Sequence, residues 1–241
     1  MSARNTHNGK TIMEEKKTDI EIFAETVQNN EEFKANAKEF IALQHTYAAA
    51  IKEITTKLEI LDSEFHIKYD HNPIHHIESR LKSAQSIYGK MKKKNLPLSV
   101  EEVKNNIFDI AGVRVICNYV NDISRIANLL LKQSDVTLIR MKDYVSNPKP
   151  NGYRSLHLVV KVPIFLAESV EYTPVEIQIR TIAMDLWASL EHKLKYKTDE
   201  NVSKELAARL TVCADQLTAI DKEMQDIYKA INGYDDEEEE E

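Results

Sequence analysis

Residues 147 to 158 read Asn147-Pro148-Lys149-Pro150-Asn151-Gly152-Tyr153-Arg154-Ser155-Leu156-His157-Leu158. Two prolines, an asparagine and a glycine impose a stiff, non-helical turn. One aromatic ring, Tyr153, stands there between the cations Lys149 and Arg154, and His157 follows on a strand-like segment. A ring held in place can stack on a flat base, and fixed cations can hold phosphate oxygens. An ordinary surface β-turn carrying a tyrosine would use the same residues, so the loop alone does not decide.

Two carboxylates could do metal chemistry. Asp109 precedes Ile110-Ala111-Gly112-Val113-Arg114, and Glu176 alternates with Gln178 and Arg180 in Val175-Glu176-Ile177-Gln178-Ile179-Arg180. Period two puts the three polar side chains on one face and Val175, Ile177 and Ile179 on the other. Carboxylates from neighbouring strands suit a magnesium ion whose octahedron is completed by substrate phosphates. A polar strand facing water shows the same alternation.

The cations carry a similar double reading. Arg80 and Lys82 lie near a predicted helix, where Lys82, Ser86 and Lys90 recur every four residues along one face. Arg140 and Lys142 alternate onto one side of a strand. Such rows can hold a triphosphate through charge-assisted hydrogen bonds, or form a solvated basic surface. The five glycines are scattered, so no glycine-rich phosphate loop exists. His66, His71, His75 and His76 make a weak metal motif, because Asn72-Pro73 interrupts their helical spacing and no cysteine is near. No His-Asp dipeptide occurs, against a phosphohydrolase of the class named for it, and no nucleophile elbow is present.

The elements that position these residues follow from periodicity. Phe40, Tyr47, Ile51, Ile54, Leu58, Leu61 and Phe65 form one stripe of a long helix over about 30–65. Val202, Leu206, Leu210, Cys213, Leu217, Ile220, Met224, Ile227 and Ile231 form another, with Gly233 as its stop. Two such helices are expected to pack on each other or on a second subunit. Between them, strands are predicted over 113–120, 136–141, 155–162 and 174–180, and helices over 74–94, 99–107, 122–133 and 182–196. In the last of these, Trp187 and Leu190 read as core, while Glu191 and His192 either line the site or, the favoured reading, pair locally. The expected fold is α/β (α+β), a mixed or antiparallel sheet flanked by helices, with long N- and C-terminal helices. The expected organisation is a flexible arm at 1–18, a helical region at 19–70, a core at 71–197, a second helical region at 198–234 and an acidic disordered tail at 235–241.

Composition sets the outer bounds. Hydrophobic residues at 42% and charged residues at 29% indicate a soluble globular chain. No apolar run approaches the roughly 20 residues of a membrane span, and residues 1–7 show no secretory signal, so the expected location is the cytoplasm. Cys117 and Cys213, far apart in apolar surroundings, read as buried thiols of a reducing compartment. The net charge of −7 comes from the seven acidic residues Asp235 to Glu241; without them the chain is near neutral.

Six ordered blocks resemble the synthetase domain of the RelA/SpoT family, in its single-domain small alarmone synthetase form. They are Arg80-Leu81-Lys82 with Ser86 and Lys90, Asp109 to Arg114, Arg140 to Tyr144, Pro148 to His157, Val175 to Thr181, and Ala183 to His192. The resemblance covers about 72–195. It implies a nucleotidyltransferase-like fold and a GTP pyrophosphokinase without hydrolase activity, moving the β,γ-pyrophosphate of ATP to the ribose 3′-hydroxyl of GDP or GTP. Carried over, Asp109 and Glu176 would hold Mg2+, and Glu176 would help deprotonate the hydroxyl. Arg80 and Arg114 would sandwich adenine, while Lys82, Ser86, Lys90 and Lys142 hold ATP phosphates with Arg140 assisting. Tyr153 would stack on guanine with Asn151 at the base edge. Lys149 and His157 would face the acceptor phosphates, and Gln178 the ribose or base. The form Arg140-Met141-Lys142-Asp143 is similar to that of synthetases working with one magnesium.

The resemblance further implies a homotetramer assembled through the terminal helices. It offers pppGpp activation with RNA binding, or zinc inhibition through the histidines from His66 to His76, as options. The competing readings are a non-catalytic nucleotide- or RNA-binding regulator on the same scaffold, and a helical scaffold protein.

Overall fold

A computed structural model describes residues 31–197 and 203–232; the expected N-terminal arm and acidic tail lie outside them. Contacts divide the chain after Ala42, and the second unit, Leu43–Glu241, holds the sheet and the site. Helix α1 runs Glu31–Lys68. Strand β1, Ile74–Leu81, leads to α2, Ala84–Lys93, and α3, Val100–Asn106. Then come β2, Ala111–Cys117, α4, Val120–Leu131, β3, Thr137–Asp143, β4, Leu156–Phe165, and β5, Val170–Thr181. Helices α5, Ile182–Lys197, and α6, Lys204–Asn232, close the chain.

The five strands form one mixed sheet in the order β1-β2-β5-β4-β3. Only β2 and β5 are parallel; the other pairs are antiparallel. Alternation decides what each face does. Val113, Val115, Ile177, Ile179, Leu158 and Val160 are buried on one side, and Ile123, Ile126 and Leu130 of α4 are buried with them in the core. The opposite face carries the polar residues. In α1 the predicted stripe is inside at Tyr47, Ile54, Leu58 and Phe65, and the Arg125 guanidinium lies 4.7 Å from the Phe65 ring centroid.

Three predicted features are corrected. The helix expected over 74–94 is a strand to Leu81 and a helix only from Ala84. Residues 74–81 are mostly exposed and show no clean alternation, yet they pair along the whole of β2, whose backbone edge would otherwise be bare. Tertiary pairing overrides local propensity there. Ser83 marks the true helix start, its hydroxyl accepting from Ser86 N at 3.3 Å. Cys117 is buried as expected, but Cys213 is exposed. Leu190 is exposed beside a buried Trp187. Much of the α6 stripe, expected to pack on the other long helix or on a second subunit, stands at the surface of the chain at Leu206, Ile220, Met224, Ile227 and Ile231. No helix among the described residues is long and apolar enough to cross a membrane.

Candidate active site

Cross-strand partners share a face of a sheet, so the register alone aligns the polar residues. One row runs Lys142, His157, Gln178, Arg114 and Glu78 across β3, β4, β5, β2 and β1. The next row, two residues along, brings Glu176, Gly112 and Arg80 together. From these rows Gln178, Arg114, Glu78, Glu176, Gly112 and Arg80 line an open cleft of about 450 Å³, together with Lys82, Asp109 and Ser79. Arg80 therefore belongs to a strand, not to a helix margin.

At one end of the cleft a single carboxylate oxygen collects two cations. Lys82 Nζ and Lys90 Nζ each donate to Asp109 Oδ2 at 2.6 Å, while Asp109 Oδ1 is buried without a hydrogen-bond partner. Lys82 precedes α2 rather than sharing its face with Ser86 and Lys90. The predicted convergence of the two lysines survives, by a different route. Burial pushes the Asp109 pKa up, but the hydrogen bonds and charges of Lys82 and Lys90 outweigh it and hold the carboxyl below its usual range. Ser86 faces its N-cap, with its hydroxyl 2.9 Å from that of Ser83. Arg140 and Lys142 are exposed on the edge strand β3, and the Arg140 guanidinium lies 5.8 Å from the Phe108 ring centroid.

The stiff loop sits at the other side of the β5 row. Its turn is closed by Gly152 N donating to Lys149 O at 2.8 Å. Gly152 takes φ of +89°, a region that glycine occupies without strain, and a Cβ there would lie 2.5 Å from Ala214 Cβ of α6. The Tyr153 ring packs against the cluster of Trp187, Ala188 and Ala214. Its flanking cations are Lys149, at 4.5 Å from the ring centroid, and Arg180, at 5.1 Å. Arg154, expected in that position, instead donates to Val145 O at 2.7 Å and ties the loop neck. Asn151 donates to Glu191 Oε1 at 3.1 Å and its side-chain oxygen accepts from Tyr153 N at 3.3 Å, so Glu191 braces the loop.

A ring of contacts connects this loop to the cleft. Arg180 Nη2 donates to the Tyr153 hydroxyl and to Gln178 Oε1, both at 2.6 Å. Gln178 Nε2 donates to Glu176 Oε2 at 3.2 Å, and Glu176 Oε1 lies 3.8 Å from His157 Nδ1. His157 Nε2, at 2.8 Å from the Tyr153 hydroxyl, completes the circle. Burial, and then the positive charges of Arg180, Lys149, Lys142 and Arg140, push the His157 pKa down to about 4.

Residues 79–201 match the family model described as the region found in RelA/SpoT proteins. The chain is 44% identical to the GTP pyrophosphokinase YwaC of Bacillus subtilis over 186 residues, 77% of this chain and 89% of that protein. The chain belongs to the RelA/SpoT family. Within it, the structure superposes on small alarmone synthetase 1 of B. subtilis bound to its product pppGpp, with a TM-score of 0.74, 34% identity, and coverage of 80% and 98% of the two chains. The same enzyme bound to AMPCPP gives a TM-score of 0.69 at 30% identity, covering 82% of this chain and all of that one. The chain thus has the fold of the small alarmone synthetases.

In this RelA/SpoT chain the sequence pointed to most of the cleft but passed over several of its supports. Arg180, nearly fully buried, is the centre of the contact ring, and Asp185 holds it, with Arg180 Nη1 donating to Asp185 Oδ1 at 3.1 Å. Alternation put Arg180 on the correct face, but one sequence does not reveal its partners on other elements. Glu78, which accepts from Arg114 Nη1 at 3.1 Å, lay hidden in the misread strand. Tyr144, whose ring centroid is 4.6 Å from Lys149 Nζ, carried no signal beyond its place next to the loop. The histidines from His66 to His76 do not gather. His66 meets Asn72, and His71 meets Asp122 at 2.9 Å. Among the described residues no group of three His, Cys, Asp or Glu is placed to hold a metal.

Proposed function

We infer that this chain is a GTP pyrophosphokinase that makes (p)ppGpp, moving the β,γ-pyrophosphate of ATP onto the ribose 3′-hydroxyl of GDP or GTP and releasing AMP. The position of Glu176 carries the reading. Its carboxylate lines the cleft with Asp109, Arg80 and Arg114, and reaches Tyr153 through Gln178 and Arg180. One carboxylate thus stands between two groups suited to stacking on bases. A hydroxyl of one nucleotide must meet a phosphorus of the other in such a place, and alignment is most of what phosphoryl-type transfer requires.

Arg80 and Arg114 take the two faces of adenine, a task for planar guanidinium groups. Lys82 and Lys90 pass from Asp109 to the triphosphate oxygens, with Ser86, Lys142 and Arg140 as further donors. Tyr153 stacks on guanine, Asn151 lies at its edge, Lys149 meets the acceptor phosphates and Gln178 the ribose. His157, uncharged near pH 7, serves the acceptor phosphates as a hydrogen-bond partner rather than as a cation. Glu176 accepts the proton of the 3′-hydroxyl as its oxygen bonds to the β-phosphorus. The bond from that phosphorus to the α,β-bridging oxygen breaks, and AMP leaves with the oxygen.

Asp109 and Glu176 fit a magnesium ion. Asp109 Oδ1 is buried and unpartnered, and magnesium takes one or two carboxylates while substrate phosphates and water complete its shell. Bound there, it would neutralise charge on the transferred group. The exposed apolar stripe of α6 supports assembly of a homotetramer through the terminal helices.

Purified protein with magnesium, labelled ATP and GDP or GTP should release AMP and form a 3′-pyrophosphorylated guanosine nucleotide, and Glu176→Gln should abolish both. Absence of that product from the wild-type protein would refute the assignment.

A further inference from the structure

A carboxylate outside the cleft joins the two halves of the site. Asp185 lies in the first turn of α5, with its side chain about one-fifth exposed. Its Oδ1 lies 3.1 Å from Arg180 Nη1 and 3.3 Å from Arg114 Nη1, and its Oδ2 accepts from Ser189 Oγ at 3.4 Å. Arg114 opens onto the donor cleft and is also held by Glu78. Arg180 reaches Tyr153 and Gln178. A negative charge in a first turn is favourable to any helix, but that alone requires no guanidinium from two separate strands.

We propose that Asp185 is a positioning residue that orders Arg114 and Arg180 as one unit, so that ATP and the guanine nucleotide each bind more tightly when the other is present. The proposal rests on the assignment of Arg114 to adenine and Tyr153 to guanine. Stacking of adenine on Arg114 requires one orientation of that guanidinium. Through the shared oxygen this restricts Asp185, and through Asp185 it restricts Arg180, which holds the Tyr153 hydroxyl. The entropy lost in ordering the three side chains is then lost once, on binding of the first nucleotide, and the second binds a site already arranged. Linkage requires the effect to be reciprocal.

Calorimetric titration of GDP into the magnesium-loaded protein, with and without saturating AMPCPP, measures this. In the wild type AMPCPP should tighten GDP at least about five-fold. Two variants remove the bridge at Asp185 itself. Asp185→Asn keeps the shape and removes the charge. Asp185→Ser removes both the charge and the reach to the two guanidinium groups, and it decides the matter if Asp185→Asn does not fold. Each should still bind the single nucleotides, with the AMPCPP effect on GDP falling to near one-fold. A purely structural Asp185 would lower the melting temperature and leave that ratio unchanged. A wild-type ratio near one, or a wild-type ratio retained in either folded variant, overturns the proposal. If the wild type binds neither nucleotide, the pyrophosphokinase reading fails instead.

Discussion

Lys82 and Lys90 close on one and the same oxygen, Asp109 Oδ2, each at 2.6 Å, although one precedes a helix and the other ends it. The cations proposed to hold the ATP phosphates thereby rest on the carboxylate proposed for the metal. The Asp109 carboxyl is held below its usual pKa, so its contribution to stability is complete above about pH 4 and is lost as pH falls through the lower folded value. Asp109→Asn should melt below the wild type at pH 7, and the gap should narrow below about pH 4. Its turnover should fall by about a hundred-fold or more. Chelation with EDTA should stop the wild-type enzyme, and magnesium should restore it.

His157 behaves in the opposite chemical sense with the same direction in pH. Its folded pKa of about 4 lies under the ordinary histidine value, so between about 6.5 and 4 the unfolded chain binds a proton that the folded chain refuses. Stability is full above about pH 6.5 and declines as pH falls towards 4, by an amount on the order of 3 kcal/mol. His157→Gln should flatten this part of the curve of melting temperature against pH. A histidine resonance titrating near 4 by NMR, missing from the variant, provides the direct check.

Tyr153 has two separable functions, its ring and its hydroxyl. Tyr153→Ala removes both and should raise the KM for GDP by about five- to 150-fold, the equivalent of about 1–3 kcal/mol of stacking. Tyr153→Phe keeps the ring but removes one acceptor of Arg180 Nη2 and the partner of His157 Nε2, and should cost less in KM than the alanine. Steady-state kinetics at saturating ATP separates the two, and equal losses would remove the stacking role.

Gly152 combines a positive φ with a close approach to Ala214. Gly152→Ala should therefore destabilise by about 1–3 kcal/mol and raise the KM for the guanine nucleotide, leaving the KM for ATP nearly unchanged. Thermal melts and two-substrate kinetics test both parts.

Where a strand has one buried face, the sequence announces it. Val175, Ile177 and Ile179 alternate with Glu176, Gln178 and Arg180, and the structure keeps that division. Strand β1 has no such face. It is an edge strand, mostly exposed, whose conformation comes from its partner β2. Residues brought together by that pairing, such as Glu78 and Arg114, were accordingly beyond the reach of local pattern. The loop from Asn147 to Leu158 was legible as a stiff turn because proline and glycine act locally. The second cation at Tyr153 was not, because Arg180 arrives from 27 residues away while the nearer Arg154 turns to the backbone. Leu190 and Cys213 show the remaining limit: helical periodicity identifies an apolar side, but not whether this chain itself covers it.

The surface beneath Tyr153 is made in part by α6. Gly152 rests on Ala214, Tyr153 packs against the cluster that contains it, and Trp187 Nε1 donates to Leu210 O at 2.8 Å. A nascent polypeptide stopped before Lys204 would hold the whole sheet, Asp109, Glu176 and both cleft arginines, and still lack the floor of the loop proposed for guanine. Synthesis from the N-terminus therefore completes the cleft with Asp109 and Glu176 before α6 supplies the surface on which Tyr153 rests.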